Sequence, residues 1–127
     1  MKEYEFIEID FILGLLKPNA KKIFNEIILA KKNKMWATII VFSLTILDNI
    51  YNDEDYLEVV DSLDINKNKI SKDIVWLRKK RNQILHYDTL VEKDYSIILI
   101  DHELKINSEK AYNILIKNLI KLFPKQM

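Results

Sequence analysis

An all-α bundle is the fold class that this sequence predicts, on three observations. Glycine occurs once and proline twice in 127 residues, far too few for the turns of a β-sandwich or a Rossmann unit. Apolar residues make up 49% of the chain and recur at the three- and four-residue spacing of helices with one face turned inward. The segments that carry this pattern are joined by short connections, as in an up-and-down bundle of four to six helices. The length suits a single domain, 1–127, that buries a core of its own.

The elements follow in order. A first helix is expected from about Tyr4 to Leu16. Pro18 opens a second that reaches about Lys32, because the missing N–H costs nothing at a helix's first position. The third, Met35 to Tyr51, sets Trp36, Ile39, Ile40, Ser43, Leu44, Ile46, Leu47 and Ile50 on roughly half its circumference, with Thr38, Thr45, Asp48 and Asn49 opposite. A short acidic helix is expected from about Glu54 to Ser62, after which Ser71 caps a further helix. The last helix is expected to start at Ser108, to place Ala111, Leu115, Asn118, Leu119 and Leu122 at helical spacing, and to end before Pro124. Asp88 to Asn107, with its "YSIILIDHELKI", reads as a short hairpin or loop insertion.

Composition removes several function classes. There is no cysteine, hence no disulfide, thiol catalysis or cysteine-ligated zinc, which fits a reducing cytoplasm. Glu3, Glu5, Glu8 and Asp10 oppose the basic start of a signal peptide. The most apolar stretch, Met35 to Tyr51, is too short for a membrane span and holds Thr38, Ser43, Thr45 and Asp48. A soluble, cytoplasmic protein without a membrane partner is therefore expected. No phosphate-binding glycine loop is possible with one glycine. Asp64, Asn66 and Asn68 imitate a calcium loop, but Lys69 replaces its glycine and Val75 its closing glutamate. Glu54, Glu58 and Asp61 read as a solvated acidic face, and His102, with no second histidine at ligand spacing, as a loop residue. The aromatics form no evident stacking platform. No metal and no cofactor are expected.

The net charge of +1 conceals blocks: −3 over residues 1–16, +5 over 17–34, −7 over 35–66, +6 over 67–81 and zero over 82–127. Acidic and basic helices lying side by side would neutralise one another, while the block ending at Arg81 can still give one surface a positive potential. That block runs into "WLRKKRNQILHYD", residues 76–88, with both arginines of a chain that uses lysine eighteen times. On a helical wheel Ile70, Ile74, Leu77, Ile84 and Leu85 form an apolar arc with Arg81 in its middle and Arg78 at its edge, while Lys79, Lys80 and Gln83 point away. A guanidinium keeps its charge and cannot stay buried and unpaired. Arg81 must pair with a carboxylate, Asp48 being a candidate, or reach solvent along its stem, or line a cleft where an anion meets it. His86 lies five residues on, about 140° around the helix, so the two side chains converge only where the helix ends or where a second copy supplies the partner.

Arg81-Asn82-Gln83-Ile84-Leu85-His86 resembles the Arg-x4–6-His motif of the HEPN domains, polar residue after the arginine included. The resemblance covers about residues 18–122, leaves 1–17 as an N-terminal helical extension and treats 88–107 as an insertion. It implies a HEPN-like four- or five-helix bundle that acts as a homodimer with two motifs facing across a cleft. It further implies a metal-independent RNA endonuclease, of the kind found in toxin–antitoxin and phage-defence systems. In that reading Arg81 binds the scissile phosphate, His86 is general acid or base, and Asn82 orients the histidine or a phosphate oxygen. Arg78, Lys79 and Lys80 attract the RNA backbone, with Asp48 and Tyr87 in support. Where some HEPN toxins carry a regulatory tyrosine two residues after the histidine, Asp88 stands here and Tyr87 is one place early. An antitoxin or regulatory partner is expected to be a separate protein. The alternative expectation is a non-catalytic bundle of the same shape serving as a binding or assembly module.

Overall fold

The structure, a computed structural model, describes residues 3–58, 67, 69–86 and 101–123. Among them are five α-helices: α1 (Glu3–Leu15), α2 (Pro18–Lys32), α3 (Trp36–Tyr51), α4 (Lys72–Leu85) and α5 (Asp101–Leu122), with a 3-10 turn at Glu54–Glu58 between α3 and α4. No strand occurs among the described residues, and no helix there is long and apolar enough to cross a membrane.

The core is organised around α3. Ile39, Ile40, Leu44, Ile46, Leu47 and Ile50 are fully covered, and the helix packs on α5, α2 and α4. Helix α2 contributes Ala20, Phe24, Ile27 and Ala30, spaced as one stripe. Helix α5 contributes Ala111, Leu115, Leu119 and Leu122 from its middle and end. Helix α1 lies against α5, burying Ile9, Ile12 and Leu16.

Two junctions fix the early helices. Pro18 stands at the start of α2, where its ring suits the first turn. Lys17 ties that start to the 3-10 turn: its backbone N–H donates to the Tyr56 hydroxyl at 2.8 Å, and its ammonium meets Asp53 at 2.6 Å and Asp55 at 2.5 Å. Helix α2 ends in a Schellman turn, with the Met35 N–H donating to Ala30 C=O and the Lys34 N–H to Lys31 C=O. That turn puts Lys34 at φ 57°, a left-handed position normally given to glycine.

Two expectations need correction. The last helix starts at Asp101, not Ser108; Ser108 is buried inside it and its hydroxyl donates to the Lys105 carbonyl at 2.7 Å. A serine that bonds back to its own helix carries the same sequence signal as a cap. Residues 101–107 of the expected insertion are thus helical, and His102 belongs to the first turn of α5 rather than to a loop; 88–100 lie outside the described residues. The acidic segment opens as a 3-10 turn, because the Asp53 carboxylate accepts from the Asp55 N–H at 3.0 Å and its carbonyl from the Tyr56 N–H at 3.2 Å. Its continuation to Ser62, and the calcium-like Asp64, Asn66 and Asn68, lie outside the described residues.

Lys34→Gly is expected to raise stability by about 0.5–1 kcal/mol, the relief of left-handed strain exceeding the entropy gained by the unfolded chain; urea unfolding measures it, and Lys34→Ala should give no such gain. The Lys17 contact makes a prediction on the acid side. Asp53 is held below the ordinary carboxylate range, first by the Lys17 side chain and then by the Asp55 N–H. A depressed carboxyl contributes stability that is complete above its unfolded pKa of about 3.9 and is lost as pH falls through the folded value. Lys17→Met should therefore flatten the acid limb of the stability–pH curve while leaving the slope near neutral pH unchanged.

Candidate functional site

Helix α4 carries the motif. Ser71 caps it, accepting the Ile74 N–H at 3.3 Å, and Asp73 in its first turn suits the helix dipole. The helix ends at His86, whose N–H donates to Asn82 C=O at 2.9 Å and whose side chain is exposed.

The buried arc of α4 is not the one the apolar residues alone predict. Ile74 and Leu77 are fully buried and Ile84 partly, but Ile70 is 79% and Leu85 57% exposed, while Gln83 is buried. The helix packs on both α3 and α5, so its covered arc is wider and rotated towards Gln83, Trp76 and Lys80. Ile70 precedes the cap and Leu85 closes the last turn, where neither has a helix opposite. The rotation moves Arg81 from the middle of the face to its α3 edge, beside Arg78, which was already at the edge of the expected arc.

At that edge both arginines converge on Asp48 of α3. Arg78 is bidentate, its two terminal nitrogens donating to the two carboxylate oxygens at 3.2 and 2.6 Å. Arg81 donates once to the same carboxylate at 3.3 Å and twice to the Asn82 side-chain carbonyl, at 3.3 and 3.1 Å. The side chains are 34% (Arg78), 26% (Arg81) and 23% (Asp48) exposed, which makes this neither a surface pair nor an interior one. Of the outcomes open to Arg81, pairing with Asp48 is the one present. Two cations share one anion, so the cluster keeps a surplus positive charge at the protein's rim.

Tyr51, one turn beyond Asp48, was not singled out by the sequence. Its hydroxyl is buried, with no hydrogen-bond partner among the described residues. Burial pushes its pKa up, with Arg78 opposing and Asp48 reinforcing the shift. The signal available was its place three residues after Asp48, on the same side of α3.

The remaining candidates are dispersed. Lys79 is exposed on the outer crest of α4. Lys80 turns to the opposite flank, 5.9 Å from the Trp76 ring centroid. Tyr87 lies outside the described residues. On the far side of Asp48 an open groove of about 630 Å³ runs along Thr45, Asn49 and Asn52 to Asp53, Glu54 and Asp55. Among the described residues no group of three or more acidic or histidine side chains is placed to hold a metal ion.

No protein-family model matches this chain, and no curated protein or solved structure does either.

Asp48→Asn keeps the shape and removes the charge that holds two guanidiniums. It should lower stability by about 1.5–3 kcal/mol, the range for hydrogen bonds to charged groups, and by less in 1 M salt. Arg78→Ala should cost more than Arg81→Ala, because Arg78 makes the short bidentate contact; chemical denaturation of the three variants gives the ranking, and equal costs for the two arginines would contradict the geometry.

Proposed function

We propose that this chain is a metal-independent RNA endonuclease of HEPN type that acts as a homodimer, in a toxin–antitoxin or phage-defence setting with a separate antitoxin or regulatory protein. One observation carries the reading. Near the end of α4, Arg78 and Arg81 share the Asp48 carboxylate, Arg81 also donates to the Asn82 side chain, and His86 follows at the exposed end of the helix.

Cleavage without a metal asks for two things that this turn supplies. The first is fixed positive charge where a phosphate gains negative charge, and a guanidinium already held in place by hydrogen bonds needs little reorganisation to provide it. The second is a group that moves protons near neutral pH, which histidine is suited to do. In the proposed reaction the ribose 2′-oxygen attacks the neighbouring phosphorus and the bond to the 5′-oxygen breaks. His86 takes the proton from the 2′-hydroxyl or gives one to the leaving oxygen, and a second copy of the chain supplies the other transfer. Arg81 holds the phosphate. Asn82 keeps its guanidinium oriented.

One observation favours a second reading, a non-catalytic bundle that binds or assembles: Arg81 pairs with Asp48 inside the chain, sharing it with Arg78, so it has a partner without a ligand. RNA cleavage separates the two. The nuclease reading expects cleavage that persists in EDTA and falls by about 10²-fold or more in both Arg81→Ala and His86→Ala, with helix content by circular dichroism unchanged. Cleavage indifferent to His86→Ala would falsify it. Clean protein with no turnover, whose His86→Ala variant keeps every interaction of the parent, would leave the binding module standing.

A further inference from the structure

On the flank of α4 away from the arginines, Trp76 meets α5 with two ammonium groups against its ring. Lys110 of α5 lies 4.2 Å from the ring centroid and Lys80, one turn along α4, lies 5.9 Å from it. Lys79 and Lys110 are exposed, Lys80 and Trp76 partly so. The Lys80 pKa is lowered, first by burial and then by the fields of Lys79 and Lys110, with Glu103 opposing. Lys80 thus sits between two like charges on this flank, those of Lys79 and Lys110, with Lys110 sharing the Trp76 ring. Among the described residues none of the three is in a salt bridge.

Like charges collected around a partly exposed indole are relieved by an anion, and the indole selects which kind. A single-stranded polynucleotide offers both halves of the match: a flat base for the ring and phosphates for the ammonium groups. An acidic peptide satisfies the charges and leaves the ring without a partner. A duplex offers phosphates but keeps its base faces stacked inside.

We propose that Trp76, Lys80 and Lys110, with Lys79 beside them, form a docking site for single-stranded nucleic acid, one base lying on the indole and the adjacent phosphates on the lysines. On binding, the Lys110 ammonium leaves the ring for a phosphate and the base takes its place. The site deepens the ribonuclease reading and rests on it for the strand being RNA. Lys79 and Asn82 occupy the crest of α4 between this flank and Arg81, so a strand crossing the helix, about 10–12 Å thick with its side chains, runs from the docking site to the phosphate-binding arginine.

The test uses the full chain carrying Trp36→Phe, which leaves Trp76 the only tryptophan, together with His86→Ala to prevent cleavage. Titration with a single-stranded RNA of about ten nucleotides should quench the Trp76 emission. Lys80→Gln with Lys110→Gln should weaken binding about tenfold and reduce the slope of log K against log salt by about 1.4, at roughly 0.7 per phosphate contact. Anisotropy of a labelled RNA reads the same affinities without relying on tryptophan. Binding that leaves Trp76 emission unchanged, or that the double lysine variant does not weaken, overturns the site. So does equal competition by polyglutamate or by duplex RNA. Quenching by RNA in a protein that never cleaves it refutes the nuclease and keeps the docking site; cleavage by the parent chain without quenching does the reverse.

Discussion

The rest of the molecule depends on the near-complete enclosure of α3. Helices α2, α4 and α5 all pack on it, and six of its aliphatic side chains lie at or within 1% of full burial. A helix so covered has one narrow edge on which polar groups can stand, and Thr45, Asp48 and Asn49 are there, partly exposed. A carboxylate on that edge loses part of its hydration to the packed helices beside it and must recover it from donors. The α4 edge that approaches it carries the only two arginines of the chain. Lysine, a mobile point charge, serves everywhere else. At Asp48 a flat fork is needed to engage both carboxylate oxygens at once, as Arg78 does at 3.2 and 2.6 Å.

The same reasoning accounts for the block pattern of charge. The acidic stretch that begins at Asp48 meets the basic block of α4 at one end, and through Asp53 and Asp55 it meets Lys17 at the other. The blocks neutralise one another where helices touch. Lys79, Lys80 and Lys110 are among the lysines that stand outside any salt bridge of the described residues, and they gather at the α4–α5 flank beside Trp76.

How much of this was legible in the sequence depended on whether the signal was local. Pro18 at the start of α2, the Ser71 cap and the apolar period of α3 are properties of a few adjacent residues, and each stands where the pattern puts it. The pairing of Arg81 with Asp48 was legible as one of three outcomes, since an uncompensated guanidinium on that side of α4 is too costly to persist. The start of α5 was not legible, because Ser108 back-bonds to Lys105 with the hydroxyl that would otherwise cap a helix. Nor was the orientation of α4. A wheel built from apolar residues assumes one packing partner, whereas two neighbouring helices widen the covered arc, bury Gln83 and leave Ile70 and Leu85 outside. The meeting of Trp76 with Lys110, thirty-four residues away, is tertiary, and no local pattern contains it.

A carboxylate already bonded to Arg81 could be read as an argument against that arginine binding a phosphate, yet the distribution of the bonds works the other way. Arg78 satisfies both oxygens of Asp48 by itself, whereas Arg81 contributes one longer contact, at 3.3 Å, and leans on Asn82 for the rest. Transfer of Arg81 to a phosphate would cost one weak hydrogen bond and leave Asp48 paired with Arg78. Had the chain placed only one arginine here, an incoming anion would have had to strip Asp48 of its partner, at the much larger cost of an unmatched charge. Two guanidiniums on one carboxylate therefore form an arrangement in which one cation holds the structure and the other is available. In the proposed nuclease that division of labour assigns Arg78 to the fold and Arg81 to the substrate, on the helix whose last residue is followed by His86.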